Sequence, residues 1–176
     1  MTFLELAEKR TSIRSYENKG VEKEKLTRIL EAARLAPSAC NIQPFHIIVI
    51  ERAETKEKLR GAYDNDWFVG APVILAVCAE PAAAWKRGDG KDYSYVDAAI
   101  AMDHITLAAA DLGLGTCWIG AFTPDALRQA LCLPDGIEPV AMTPIGYPGH
   151  CGNAKNRKEL NQLIHYEQYG NNEPSE

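Results

Sequence analysis

Tyr95-Val96-Asp97-Ala98-Ala99-Ile100-Ala101-Met102-Asp103-His104-Ile105-Thr106-Leu107-Ala108-Ala109-Ala110-Asp111-Leu112, followed by Gly113-Leu114-Gly115 and Thr116-Cys117-Trp118-Ile119, decides how this chain folds. Val96, Ala99, Ile100, Ile105, Leu107 and Ala108 surround the first part almost completely, which makes it the longest apolar helix candidate. A helix apolar on most sides is buried on most sides. In a chain of 176 residues that points to a subunit interface as well as a core. The glycines then follow a helix and precede a strand. A dinucleotide fold needs the opposite order, strand then glycines then helix, so that phosphate meets a helix N-terminus. Gly113-x-Gly115 therefore reads as a helix C-cap. No Walker sequence occurs either, so any nicotinamide binds without a Rossmann site.

Outward from this stretch, helices and strands interleave. Thr2-Phe3-Leu4-Glu5 has the form of a capping box and predicts a short helix to about Arg10. Glu22 to Arg34 places Leu26, Ile29, Leu30 and Ala33 on one face of an amphipathic helix that Pro37 ends. Phe45 to Ile50 and Pro72 to Ala79 read as buried strands, and Glu54 to Ala62 as a charged helix. Thr116 to Ile119 predicts a strand. A helix then opens with Thr123 as N-cap and Pro124 at its first position. Pro139 to Tyr147 is the last strand, and Arg157 to Tyr166 a closing helical segment. The class is α+β or α/β, in layers, around a sheet expected to be mixed.

The length suits one domain, expected over residues 1–169, since folding units cluster at roughly 100–200 residues. The tail from 170 to 176 has a disordered composition. Net charge is −5, which argues against a general nucleic-acid binder and against attraction to anionic membranes. No apolar run approaches the roughly 20 residues that span a bilayer, and the acidic N-terminus lacks secretory order. The five cysteines are odd in number, scattered, and without CxxC spacing, so neither a zinc site nor a disulfide framework is suggested. A reducing, cytoplasmic setting is the simplest expectation.

Three groups of polar residues invite a chemical reading. In an extended segment Arg10, Ser12 and Arg14 share a face, where two guanidinium groups and a hydroxyl suit a phosphate monoester. On this stretch alone a solvated helix end is the simpler reading. Lys155-x-Arg157 gains interest only if the fold brings it beside the first cluster. The loop from Pro37 to Pro44 is stiffened by its bracketing prolines. Asn41 and Gln43 there offer donors and acceptors that match the edge of a planar heterocycle, or satisfy backbone groups of the loop itself. Cys40 as a nucleophile needs a lowered pKa and a nearby base, and the sequence shows neither. The four histidines form no HxxxH or HExxH group, so metal binding is not expected. For Trp67, Phe68 and Trp118 core packing is the expectation, against a role in walling an open pocket.

Taken together, Arg10-Thr11-Ser12-Ile13-Arg14, Ala36 to Phe45, Ala71-Pro72-Val73-Ile74, Val96 to Met102, Leu112 to Gly120, Pro144 to Pro148 and Lys155-Asn156-Arg157 resemble the nitroreductase family of flavin enzymes. The match runs from about Thr2 to Tyr169. The resemblance implies an α+β fold, with three α/β/α layers around a central mixed, mainly antiparallel sheet. It also implies an intertwined homodimer with FMN in two sites at the interface. By position, Arg10, Thr11, Ser12, Arg14, Lys155 and Arg157 would hold the phosphate and neighbouring oxygens, which reverses the bland reading of both basic clusters. Pro37, Ser38, Ala39 and Asn41 would come from the other subunit and lie against the ring. Ile119 and Gly120 would present backbone amides near its reacting edge, and Asn65 would touch the pyrimidine edge. Ala39 and Cys40 stand where hydroxyl residues are common in the family, and Trp85 to Tyr93 lacks a longer insertion that some members carry.

The implied activity is an FMN-dependent oxidoreductase. It takes hydride from NADH or NADPH and reduces a small organic acceptor, nitroaromatic or quinone-like, in a ping-pong cycle with no catalytic side chain required. The rivals are a flavin-binding module without turnover and a thiol hydrolase using Cys40.

Overall fold

A computed structural model describes residues 1–150 and 156–172. Six α-helices are found among them: α1 (Phe3–Lys9), α2 (Lys23–Arg34), α3 (Ala53–Lys58), α4 (Asp66–Val69), α5 (Ser94–Asp111) and α6 (Pro124–Leu131). The strands are β1 (Phe45–Ile50), β2 (Val73–Ala79), β3 (Gly115–Thr116) and β4 (Glu138–Gly146), in spatial order β1-β2-β4-β3. Each ladder is antiparallel, and the parallel component is a single bridge, Ser12 to Thr116.

Strand β2 explains the layering. All seven of its residues are buried, because it is covered on both faces. Val73, Leu75, Val77 and Ala79 point into one core with Leu26, Ile29 and Ala33 of α2 and Ala98, Met102, Ile105 and Ala109 of α5. Ile74 and Ala76 point into the other, with Leu59, Phe68 and Leu127 from the segments around α3, α4 and α6. The period-2 alternation of the strand thus feeds two helical layers, giving α/β/α. Burial of a side chain such as Ile29 contributes about 1.5–3 kcal/mol.

Helix α5 ends as its glycines suggest. Gly113 has φ +76, a left-handed backbone that suits glycine. Gly113 N–H donates to Ala110 O and Leu114 N–H to Ala109 O, the bond pair of a Schellman cap. At the other end of the chain, α1 carries the expected capping box: Thr2 N–H donates to Glu5 Oε2 at 2.7 Å and Glu5 N–H to Thr2 Oγ1 at 3.3 Å. None of its residues is buried.

Several expectations are corrected. The strand read as Thr116 to Ile119 stops at Thr116, because Cys117 N–H donates to the Thr143 side chain (3.3 Å) instead of to a ladder carbonyl. Ile119 rejoins the sheet by an isolated bridge to Met142. The charged helix after β1 gives way at Leu59–Gly61 to a 3₁₀ turn, and α4 was not foreseen. Thr123 precedes α6 without a side-chain cap bond. The segment from Arg157 to Tyr166 forms only one 3₁₀ turn, Leu160–Gln162. Leu160, Leu163 and Ile164 are exposed, so they have no face in this chain to pack on, and a short helix without packing is marginal. Residues 170–172 fold back, with Asn171 O accepting from Tyr166 N–H and Asn172 Nδ2 donating to Asn161 O. Among the described residues no helix is long and apolar enough to cross a membrane.

Candidate functional site

Residues 10–16 run extended along the edge of β3. Arg10 leaves α1 with φ −60 and ψ 118, and Ile13 N–H donates to Thr116 O at 2.8 Å. Ile13 is buried against Gly115, so alternation turns Ser12 and Arg14 to the opposite side. Arg14 is exposed, and Arg10 and Ser12 are half-buried. The ion pairs of the described residues lie elsewhere, at Lys19–Glu22, Arg34–Glu31, Arg87–Asp89, between Arg60 and its acidic neighbours, and at His46–Glu80 when the imidazole is protonated. Arg10 and Arg14 are not among them. Two cations and a hydroxyl are thus left on one anchored segment, as an anion site requires.

The end of β4 returns to this segment. Glu17 N–H donates to Tyr147 O, Gly149 N–H to Ser15 O, and Tyr16 bridges to Pro148. The chain that leads on to the second basic pair therefore leaves from beside the first. Lys155 itself lies outside the described residues. Arg157 is exposed, and among the described residues no hydrogen bond or ion pair joins it to Arg10 or Arg14. Thr11 alternates to the Ile13 side of the segment, where with Arg10, Lys9, Ile13, Gly115 and Gly149 it lines a cavity of about 400 Å³. Tyr16 packs below the segment, its hydroxyl donating to Ile13 O at 2.8 Å, and burial holds its pKa far above the ordinary tyrosine value.

The loop from Pro37 to Pro44 is rigid by its own bonds. Ser38 Oγ accepts from Gln43 N–H at 2.9 Å, and Gln43 Nε2 donates to Asn41 O at 2.9 Å. Cys40, Asn41 and Gln43 have φ 51, 55 and 57, a left-handed backbone uncommon for side chains that are not glycine. Gln43 is thus committed to its own loop, whereas Asn41 is exposed with its amide nitrogen unengaged among the described residues. Pro37 is exposed, and Ser38 and Ala39 are half-buried. Cys40 is exposed with no hydrogen bond to a histidine among the described residues. No group of three or more metal-ligating side chains occurs among them.

Of the two backbone amides expected from Ile119 and Gly120, one is withdrawn. Ile119 N–H donates to Met142 O at 2.8 Å and Ile119 O accepts from Met142 N–H at 3.0 Å, so its backbone is committed to the sheet. Gly120 is exposed and keeps its amide free of an intrachain partner among the described residues. Asn65 precedes α4 with its side chain uncommitted, only its carbonyl accepting from Phe68 and Val69. Of the three aromatics assigned to the core, Phe68 is fully buried and Trp67 packs edge-on to Tyr63 and Phe68. Trp118 is the exception: at 41% exposed it stands beside Gly120, because Cys117 and Ile119 take the inward positions on either side.

One residue the sequence reading passed over is Asp97. It is buried in the first turn of α5, and its Oδ1 accepts from Ala39 N–H at 3.0 Å. The available signal was an acid inside an otherwise apolar helix.

Comparison with known proteins bears on this arrangement. The family model for the nitroreductase family matches residues 7–64 and 60–147. An FMN reductase [NAD(P)H] from Bacillus subtilis is 35% identical over 177 residues, covering 91% of this chain and 71% of its own. A nitroreductase family protein of known structure from Clostridium difficile 630 superposes with a TM-score of 0.88 at 37% identity, covering 96% of this chain and 99% of the other. An FMN-dependent nitroreductase from Clostridium difficile R20291 gives 0.81 at 29% identity, covering 95% and 100%. With the three layers, the anchored Arg10–Arg14 segment and the sheet order all on one chain, the protein belongs to the nitroreductase family.

Proposed function

We propose that the protein is an FMN-dependent oxidoreductase that takes hydride from NADH or NADPH and reduces a small nitroaromatic or quinone-like acceptor in a ping-pong cycle. The observation that carries this reading is the pair Arg10 and Arg14, left without ion-pair partners among the described residues and aimed from a segment locked to β3. This donor set fits the dianionic phosphate of FMN. Its relatives' names, FMN reductase [NAD(P)H] and FMN-dependent nitroreductase, support the same reading.

When bound, FMN supplies the hydride chemistry. This chain's residues do the rest. Arg10, Ser12 and Arg14, with Thr11, Lys155 and Arg157, hold phosphate and the neighbouring oxygens. The fixed cation Arg14 would favour a ring that carries negative charge, without needing to move a proton. Pro37, Ser38, Ala39 and Asn41 of a second copy lie against the ring, a preset surface that loses little entropy on binding. The Gly120 amide and the Asn65 side chain donate at the ring's polar edges. Trp118 offers an exposed aromatic face to a planar acceptor.

Residues 1–169 act as one unit within a homodimer. Exposed apolar side chains support this: Phe3 and Leu4 on α1, Tyr95 and Val96 on α5, and Leu160 and Leu163 near the C-terminus. Together they form surface that a monomer leaves to water. A cytoplasmic setting accompanies the reading, and Cys40, Cys78, Cys117 and Cys132 are free thiols.

The test is a visible spectrum of the purified protein with FMN, then with NADH, then with a nitroaromatic or a quinone. The expected sequence is a flavin spectrum, bleaching, and recovery. Protein that stays colourless with added FMN refutes the assignment. A yellow protein that oxidises neither NADH nor NADPH with any acceptor is a flavin-binding module instead.

A further inference from the structure

We propose that Asp97 is a positioning residue: through Ala39 N–H it holds the Pro37–Pro44 loop in the shape that the flavin ring meets. The proposal rests on the FMN reading above. Three non-glycine residues of this loop, Cys40, Asn41 and Gln43, have left-handed φ values of 51, 55 and 57. Such a backbone persists where its surroundings over-determine it. Most of the restraint is internal: Asn41 N–H to Ser38 O, Ile42 N–H to Ala39 O, and the Ser38 and Gln43 side-chain bonds. At its far end the loop is held to the sheet, Gln43 O accepting from Phe45 N–H at 2.9 Å and Pro44 O from Glu80 N–H at 2.8 Å. From Ser38 to Ile42, the bond from Ala39 N–H to Asp97 Oδ1 at 3.0 Å is the one hydrogen bond among the described residues that ties the loop to another element.

Asp97 is built for that task. It is 2% exposed and its own N–H donates to Tyr93 O at 3.0 Å, so it cannot follow the loop outward. Its Oδ2 is buried with no partner among the described residues. Burying a carboxylate with one oxygen unpaired is unfavourable. A plain helix-start residue such as serine would avoid that cost, but would be too short to reach across to Ala39. Position in the first turn of α5 also sets the acid against the positive end of the helix dipole, the alternative role. The two roles differ in what they predict for the loop.

The experiment compares the wild type with Asp97→Ser and Asp97→Asn. Serine keeps a good helix start and loses the reach, whereas asparagine keeps an oxygen at the Oδ1 position. Hydrogen exchange of residues 38–43 is read without flavin, with β2 as internal reference, and FMN and riboflavin affinities are titrated by fluorescence. For Asp97→Ser, exchange at 38–43 rises about tenfold, as loss of one hydrogen bond implies, while β2 is unchanged. Both flavins weaken by a similar factor, because the loop meets the ring and not the phosphate. Asp97→Asn stays within about threefold of wild type in all three readouts. Unchanged exchange at 38–43 in Asp97→Ser overturns the tether, and faster exchange with unaltered affinities overturns the positioning role. If β2 protection also collapses in Asp97→Ser, Asp97→Asn decides, since an equal collapse there makes Asp97 a determinant of the fold alone. Wild type that takes up no FMN sinks the functional reading, while the exchange arm still judges the tether.

Discussion

Replacing Gly115 with alanine tests whether close packing at β3 aims the basic segment. A Cβ at Gly115 meets Ile13 Cγ1 at 2.7 Å, Cβ at 2.8 Å and Cγ2 at 2.9 Å. Apolar carbons settle at about 3.5–4.0 Å, so roughly 1 Å must be relieved. Ile13 is 6% exposed and its Cβ is fixed to the main chain, so the backbone has to retreat. That retreat stretches the 2.8 Å bond from Ile13 N–H to Thr116 O beyond hydrogen-bonding range. Overpacking costs about 1–3 kcal/mol and the lost bond about 1 kcal/mol. At about 2–4 °C per kcal/mol for a chain of this size, Tm falls by roughly 4–16 °C. Ser12 and Arg14 move with the segment, so FMN affinity falls by about tenfold or more. Differential scanning fluorimetry and a flavin fluorescence titration measure the two effects. Gly113→Ala is the control: nothing lies within 4 Å of its new Cβ, but φ +76 strains it, so it costs about 1 kcal/mol and leaves affinity unchanged. Gly115→Ala with wild-type Tm and wild-type FMN affinity refutes the packing argument.

Arg10→Ala weakens FMN about tenfold or more but barely alters riboflavin, which lacks the phosphate; equal losses for both ligands would place Arg10 elsewhere. Tyr147→Phe probes a pH dependence. The Tyr147 hydroxyl donates to Glu22 and accepts from Lys25 Nζ. Glu22 is held below the ordinary carboxylate range, first by its own backbone N–H and then by this hydroxyl. Its contribution is present above that range and lost as pH falls through the lowered value. Lys25 is raised, chiefly by the same hydroxyl, so its contribution is present below the ordinary lysine range and lost as pH rises through the raised value. The variant's profile of Tm against pH is therefore flatter than wild type at both the acid and alkaline ends, and limbs of unchanged steepness would count against the network. Trp118→Ala leaves Tm within about 2 °C, since the side chain is exposed, and raises KM for an aromatic acceptor by about two- to tenfold. Cys40→Ala keeps NAD(P)H oxidation, whereas loss of turnover with flavin still bound would revive a thiol mechanism.

Elements that rest on local pattern were legible in the chain. The apolar, β-branched run from Phe45 to Ile50 is a strand with those ends. Tyr95 to Leu112 is α5 within one residue at each end, and Gly113 is its cap. Where pattern and packing part company, the reading fails. Leu160, Leu163 and Ile164 have helical spacing but no surface to bury it on, and only one tight turn forms. Helix α4 has four residues, too few for a period to show, and is held instead by the burial of Phe68. Strand β3 is cut short by the side chain of Thr143, 26 residues further on.

The candidate site divides along the same line. Residue types and their spacing pointed to Ser12 and Arg14 sharing one side of an extended segment, opposite Ile13, and to a proline-framed loop that carries Asn41 and Gln43, because alternation and ring constraints act over a few residues. Only the tertiary structure decided that Thr11 and Arg10 line one cavity, that Ile119 gives its amide to Met142, that Trp118 stands in solvent, and that Asp97 reaches Ala39 across 58 residues. Those outcomes follow from which carbonyl or carboxylate the two-sided core brings within 3 Å of each donor, a competition among distant segments that no local spacing encodes.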